Sequence, residues 1–250
     1  MKYNICVPLP VRSVNVSEIA TTIKKVVSLS PNLIELRFDY IDDVQKLTKD
    51  FVTSLLSRIQ PKIPVICTLR DYTEGGNKEI KATERLQLLK LIIESKPNYV
   101  DIEINTKTNF LRDIINKTIQ NKVNLIFSYH DFKKTPNYIE ASNHLENFLT
   151  KLKEEMLIDP KVVEKSIFKF IFTANSFEDN MLPLKLCKMK SSKKQKLISF
   201  CMGDLGIFSR IFCIFSGSVL TYCSYEDKTA PGQININKLR NTLKLLNFRT

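Results

Sequence analysis

The sequence contains no tryptophan, only six glycines in 250 residues, and only two histidines. It has no unbroken apolar run of about 18 residues, which excludes a membrane-spanning helix and with it a membrane partner. Its start, Met1-Lys2-Tyr3-Asn4-Ile5-Cys6-Val7-Pro8, lacks the apolar stretch of a secretory signal and reads as a strand, pointing to a cytoplasmic location. No CxxC pair occurs among Cys6, Cys67, Cys187, Cys201, Cys213 and Cys223, so no metal pattern is present. Cys6, Cys67, Cys201 and Cys223 fall in strand-like apolar runs and read as small buried hydrophobes; a catalytic thiol is the lesser alternative.

What is present is a globular composition. Hydrophobic residues make up 43 %, enough for a large core and against disorder. The net charge of +12 raises the question of a nucleic-acid partner. The lysines are scattered along helical patterns, however, and the densest run, Lys185 to Lys196, carries no interleaved aromatics. It reads as a solvated helix end and loop, so no nucleic acid is expected. A positive field would instead help steer an anionic metabolite.

Short apolar runs alternate with longer amphipathic ones. Strands are expected at Lys2–Pro8, Leu33–Phe38, Pro64–Leu69, Tyr99–Glu103, Val123–Ser128, Ile167–Phe172, Leu197–Cys201 and Ser218–Cys223. Helical stripes run through Val44, Leu47, Phe51 and Leu55, with Asp42 and Asp43 as candidate N-caps. Others run through Ile139, Leu145, Phe148, Leu149, Leu152 and Met156, and through Ile236, Leu239, Leu243 and Leu246. Apolar strands alternating with amphipathic helices argue for an α/β fold with a parallel sheet buried on both faces. Eight such units predict one (β/α)8 barrel, a TIM barrel, occupying residues 1–250 as a single domain; an open doubly wound sheet is the alternative.

The scarce glycines, Gly75, Gly76, Gly203, Gly206, Gly217 and Gly232, all adjoin the third, seventh and eighth strands. In a barrel, the loops following the strands build the active site. Polar residues gather at those strand ends. Glu35, Arg37 and Asp39 share one strand face, where they form either an ion-pair network or a grip on a polar ligand. Arg70 and Glu74 lead into the first glycine pair, and Asp101 and Glu103 end the fourth strand. His130 ends the fifth strand, and a histidine moves protons in either direction near neutral pH. His144 lies in a helical pattern and reads as a packing or surface residue.

Lys169 interrupts the apolar run Ile167-Phe168-Lys169-Phe170-Ile171-Phe172. On an edge strand it would point to solvent, but a barrel has no edge. Burial disfavours an ammonium, and a neutral amine is the nucleophile that converts a ketone to an imine. Arg210 offers a fork suited to a carboxylate, and Thr229 and Gln233 offer neutral donors. The glycines there could equally cradle a phosphate.

Taken in order, these segments resemble the type I 3-dehydroquinate dehydratases. The matching pieces are Glu35-Leu36-Arg37-Phe38-Asp39, Arg70 to Gly76, Ser128-Tyr129-His130-Asp131-Phe132, Lys169 with Thr173 to Ser176, Met202 to Arg210, Gly217-Ser218 with Thr221-Tyr222, and Ala230 to Gln233. They span nearly the whole chain. The resemblance implies an imine-forming Lys169, a general acid–base His130 and a carboxylate Glu74 that orients that histidine. It also implies that Arg210 and Gln233 bind substrate, and that Glu35, Arg37 and Arg70 grip ring hydroxyls. Thr229 stands where many members carry serine, so the hydroxyl is kept. The implied substrate is 3-dehydroquinate, with no cofactor and no metal, in a homodimer. The rivals are another imine-forming barrel lyase, such as an aldolase acting on a sugar phosphate, and a non-catalytic basic binding protein.

Overall fold

The computed structural model describes residues 4–246. Its strands are β1 (Ile5–Pro10), β2 (Leu33–Arg37), β3 (Val65–Thr68), β4 (Tyr99–Glu103), β5 (Asn124–His130), β6 (Ile167–Thr173), β7 (Leu197–Met202) and β8 (Thr221–Tyr222). Its α-helices are α1 (Val16–Ser28), α2 (Lys49–Ile59), α3 (Ala82–Glu94), α4 (Thr108–Asn121), α5 (Tyr138–Thr150), α6 (Pro160–Lys165), α7 (Met181–Ser192), α8 (Ile207–Phe212) and α9 (Ile236–Leu245). The strands are hydrogen-bonded in the order β7-β6-β5-β4-β3-β2-β1-β8. The Val219 N–H also donates to Leu197 O at 2.8 Å, and the Thr221 N–H to Asn4 O at 3.0 Å, so the β8 segment is bonded on both sides. An open sheet would leave two edges unpaired; this is a (β/α)8 barrel.

The strand bounds differ from expectation by a few residues. Lys2 and Tyr3 lie outside the described residues. Of Ser218–Cys223 only Thr221 and Tyr222 form strand. Among the described residues, no helix is long and apolar enough to cross a membrane.

By its internal packing the chain falls into two units, Cys6–Ile126 and the remainder. In the first, the β2, β3 and β4 registers align Arg37 with Thr68 and Thr68 with Asp101. One face of these strands therefore carries Glu35, Arg37, Thr68, Asp101 and Glu103. The other carries Ile34, Leu36, Val65, Cys67, Val100 and Ile102, all fully buried. Period-two alternation gathers the charged residues and Thr68 on one face, which Leu33, Ile66 and Tyr99 share, and leaves the other wholly apolar. α2 begins later than expected. Asp43 caps a separate 3-10 turn, Val44–Lys46, and Thr48 is the helix N-cap, accepting from the Phe51 N–H at 3.2 Å. The apolar spacing runs through both pieces, which is why the sequence reads as one helix.

In the second unit α5 opens with a capping box. The Asn137 side chain accepts from the Glu140 N–H at 3.0 Å, and the Glu140 carboxylate accepts from the Asn137 N–H. Leu145, Phe148, Leu149, Leu152 and Met156 are buried as expected, but Ile139 is 69 % exposed. Six residues before Leu145, it sits about 120° away from the stripe on a 3.6-residue helix. A π-helical turn at Lys151–Glu155 then widens the helix and keeps both Leu152 and Met156 inside. Leu246 lies past the end of α9 and is exposed. Within the basic run Lys190 is buried and paired with Glu146, so that run is not wholly solvated.

His144 packs on the Tyr129 ring at 4.2 Å and on Phe170 at 5.7 Å. Burial holds its pKa below the ordinary 6.5, against a smaller opposing pull from Asp131. The unfolded chain therefore binds the proton more tightly, and stability falls as pH drops through 6.5 toward the folded value. Replacing His144 by phenylalanine is expected to flatten the dependence of urea midpoint on pH between about 5 and 7; an unchanged slope would contradict this.

Candidate active site

The second unit builds its site on alternation. In β5 and β6, Tyr129 and Phe170 pack together at 5.6 Å, and Phe168 and Phe170 meet Phe148 and His144 of α5. These residues face the helix layer. The alternate residues, Ser128, His130, Lys169 and Ile171, therefore face the opposite, inner side of two adjacent strands. Lys169 is only 5 % exposed, although it sits in the third position of β6 rather than at its end. His130, the last residue of β5, is half-buried and stacks on Phe132 at 6.3 Å.

β7 continues this face, because Lys169 aligns with Ile198 and Ile171 with Phe200. Over the Phe200 ring, 4.4 Å from its centroid, lies the guanidinium of Arg210, carried by α8. Arg210 is 2 % exposed, and its one side-chain hydrogen bond runs to Pro231 O at 3.0 Å. Its Nε is buried with no partner, and no carboxylate among the described residues pairs with it. Desolvation brings its pKa down to about 10, only partly offset by nearby thiols. Leaving a buried guanidinium uncompensated costs several kcal/mol, roughly, unless an anion restores the balance.

The α8 turn that carries Arg210 is itself pinned. The Ser209 N–H donates to Asn180 Oδ1 at 2.9 Å, and Ser209 Oγ accepts from the Cys201 N–H at 2.9 Å. After β8, Gln233 Nε2 donates to Thr229 Oγ1 at 3.1 Å, and Gln233 Oε1 accepts from the Thr229 N–H at 2.8 Å. The two predicted neutral donors thus hold each other. Gly232 between them has φ +71°, and a Cβ there would collide with Gly203 O. We expect Gly232→Ala to lower stability by about 2–4 kcal/mol, through combined backbone strain and overlap. Chemical denaturation checks this; a loss under about 0.5 kcal/mol would show that the loop relaxes freely.

The first unit carries the other predicted residues, and here the arginines are paired. Arg37 makes two 2.8 Å bonds to Asp39, in the 3-10 turn just past β2. Arg70 reaches Asp101 at 2.7 Å and Glu103 at 2.8 Å. Glu103 is shared with Arg85 of α3, whose Nε also donates to Leu69 O at 3.0 Å. Glu35 accepts from Thr68 Oγ1 at 2.7 Å. Glu74 is buried in the turn after β3 and accepts from Asn105 at 3.1 Å. Glu103 further accepts from the Asp71 N–H at 3.0 Å, tying down the segment that leads to Glu74. Gly76 follows because a Cβ would meet Arg70 O.

The contrast assigns different work to the arginines. Arg37 and Arg70 already have carboxylates, so they present neutralised hydrogen-bond donors. Arg210 has none among the described residues, so its buried charge is left open to an anion. The alternative of a catalytic thiol loses its footing. All six cysteines are buried, and burial pushes Cys213 up to about 11 and Cys223 up to about 12.

Sequence reasoning did not assign Arg85, Asn105, Phe200 or Tyr222. Arg85 lies in a helical stretch with no signal of its own. Tyr222 reads as one more strand aromatic, yet its ring lies 4.7 Å beneath Lys169 Nζ.

Comparison with known proteins gives this arrangement relatives. The family model for type I 3-dehydroquinase matches residues 5–249. A 3-dehydroquinate dehydratase from Pyrococcus abyssi is 35 % identical over 228 residues, covering 91 % of this chain and 94 % of that protein. One from Methanococcus maripaludis is 33 % identical over 243 residues, covering 97 % and 99 %. Among solved structures, the type I 3-dehydroquinate dehydratase from Clostridium difficile, with covalent modified comenic acid, superimposes with a TM-score of 0.81 at 25 % identity, covering 98 % of this chain and 92 % of that one. The chain belongs to the type I 3-dehydroquinase family.

Proposed function

We propose that this enzyme dehydrates 3-dehydroquinate to 3-dehydroshikimate through an imine on Lys169, as a step of the shikimate pathway toward aromatic amino acids. The observation that carries the reading is that Lys169 and His130 face the same side of adjacent strands. Membership of the family favours this substrate over a sugar phosphate and over a non-catalytic binding role.

Lys169 attacks the ring ketone, and water leaves to give a protonated imine. That cation withdraws electrons and acidifies the neighbouring C–H. His130 takes the proton, giving an enamine, and then returns a proton to the departing hydroxyl on the adjacent carbon. Hydrolysis of the imine frees the product and the amine. Arg210 holds the substrate carboxylate, which supplies the counter-charge that the residue otherwise lacks. Glu35, Arg37 and Arg70 serve the ring hydroxyls, Thr229 and Gln233 add neutral contacts, and Glu74 takes the carboxylate role that the resemblance implies. We read residues 1–250 as one catalytic domain, working as a cytoplasmic homodimer.

The test is borohydride reduction in the presence of 3-dehydroquinate, followed by peptide mass mapping. The label is expected on Lys169; a label elsewhere, or none, overturns the reading. Replacing His130 by alanine is expected to slow turnover by about 10²–10⁴-fold while trapping persists. Turnover like that of the unaltered enzyme would remove His130 from the mechanism.

A further inference from the structure

Arg85 of α3 has no part in the mechanism above, yet its guanidinium is buried against the end of β3. β3 stops at Thr68, so the Leu69 carbonyl lies beyond the strand. Arg85 meets that carbonyl with two donors, Nε at 3.0 Å and Nη2 at 2.8 Å. The same Nη2 pairs with Glu103 Oε2. The other Glu103 oxygen, Oε1, accepts from Arg70 Nη1 at 2.8 Å and from the Asp71 N–H at 3.0 Å. The peptide entering Arg70 is thus held at its carbonyl by Arg85 and at its N–H by Asp39 Oδ1, 3.4 Å away. The peptide leaving Arg70 is held by Glu103, and the Arg70 side chain ends on that same carboxylate.

We propose that Arg85 is a positioning residue: through Leu69 O and Glu103 it fixes the direction in which Arg70 presents its guanidinium to the substrate. The proposal rests on the reading above that Arg70 grips a ring hydroxyl. A buried ion pair adds little net stability over apolar packing of similar volume. What a guanidinium adds is direction, because its donors leave a rigid plane in fixed orientations. Two of them on one carbonyl set the plane of the peptide from which Arg70 springs. The contact to Glu103 Oε2 keeps Oε1 turned toward Arg70 and the Asp71 N–H. Without it the carboxylate is free to rotate, and Arg70 follows. A misplacement of about 1 Å costs on the order of 10²-fold in rate. Lysine in place of Arg85 keeps the charge, but on a flexible stem without the fork.

The test is a double-mutant cycle in the full-length enzyme, read as kcat/KM for 3-dehydroquinate. Arg85→Met and Arg85→Lys are each made alone and beside Arg70→Lys. The latter keeps a cation for Asp101 and Glu103 but removes the fork that meets substrate. All assays run well below the lowest unfolding midpoint, so that loss of stability alone does not enter. Arg85→Met is expected to lower kcat/KM by about 30-fold, and Arg85→Lys by about fivefold. Beside Arg70→Lys both losses should shrink to within about twofold, because the group being positioned is gone. A merely structural arginine gives the same factor in both backgrounds. That result, or an unchanged kcat/KM in Arg85→Met, overturns the proposal. Should Arg85→Met not fold, the Arg85→Lys cycle decides by the same two criteria. If Arg70→Lys alone leaves kcat/KM within about twofold of the unaltered enzyme, the reading of Arg70 as a substrate contact falls, and this inference with it.

Discussion

Replacing Lys169 by methionine is expected to reduce turnover of 3-dehydroquinate by on the order of 10⁴-fold or more and to abolish borohydride trapping. Methionine keeps the length and fills the slot, so no cavity opens beneath Tyr222. The side chain is 5 % exposed, on a residue aligned with Ile198, and its nitrogen lies over the Tyr222 ring. On the proposed mechanism, removing this nucleophile removes the electron sink, and neither His130 nor Arg210 can supply one. Steady-state kinetics and trapping measured together check the prediction. Turnover within about tenfold of the unaltered enzyme would mean that the elimination proceeds without a covalent intermediate.

The second large effect has two signs. Arg210→Met should weaken kcat/KM for 3-dehydroquinate by about 30- to 3000-fold, the range seen when one partner of a buried charged pair is truncated. The same change should stabilise the substrate-free protein. In that state the guanidinium has one carbonyl, one ring face and a buried Nε without a partner. Replacing such a charge by an apolar side chain of similar length is often worth about 1–4 kcal/mol. For a chain of this size that amounts to a rise in melting temperature of about 2–4 °C per kcal/mol. Its depressed pKa, about 10, marks the same imbalance. Calorimetry of the variant without substrate decides the matter. A fall in melting temperature would show that Arg210 is already compensated, and its assignment as anion receptor would lose its physical basis. Arg70 makes the control. With Asp101 and Glu103 as partners, its loss takes a cation from two buried carboxylates, of which Glu103 keeps Arg85, and is expected to destabilise.

The two arginines look alike in sequence, each following a strand and each near glycines. What separates them is the presence of acids on the neighbouring strand. Thr68 aligns with Asp101, and that register puts the β4 carboxylates within reach of Arg70. Nothing comparable lies on β7 or β8, where Phe200 and Tyr222 occupy the inner face. The local sequence around Arg210, Leu205-Gly206-Ile207-Phe208-Ser209-Arg210-Ile211-Phe212, contains no charge but its own. It still gives no account of what folds over it. Errors at the element level have equally local causes. Asp43 and Thr48 are both competent caps five residues apart, and the apolar stripe crosses the break between them.

The amino-acid sequence by itself determined the eight strand–helix units, the shared face of Glu35 and Arg37, and the ordered residues that place the chain in its family. Those properties follow from short-range periodicity and from residue identity, which any stretch of chain carries with it. Only the tertiary structure decided which cations are neutralised, that Thr229 and Gln233 hold one another, and that Lys169 rests on an aromatic ring. Desolvation and pairing depend on which side chains meet through space, and residues 169, 200, 210 and 222 become neighbours only when the strands that carry them lie side by side.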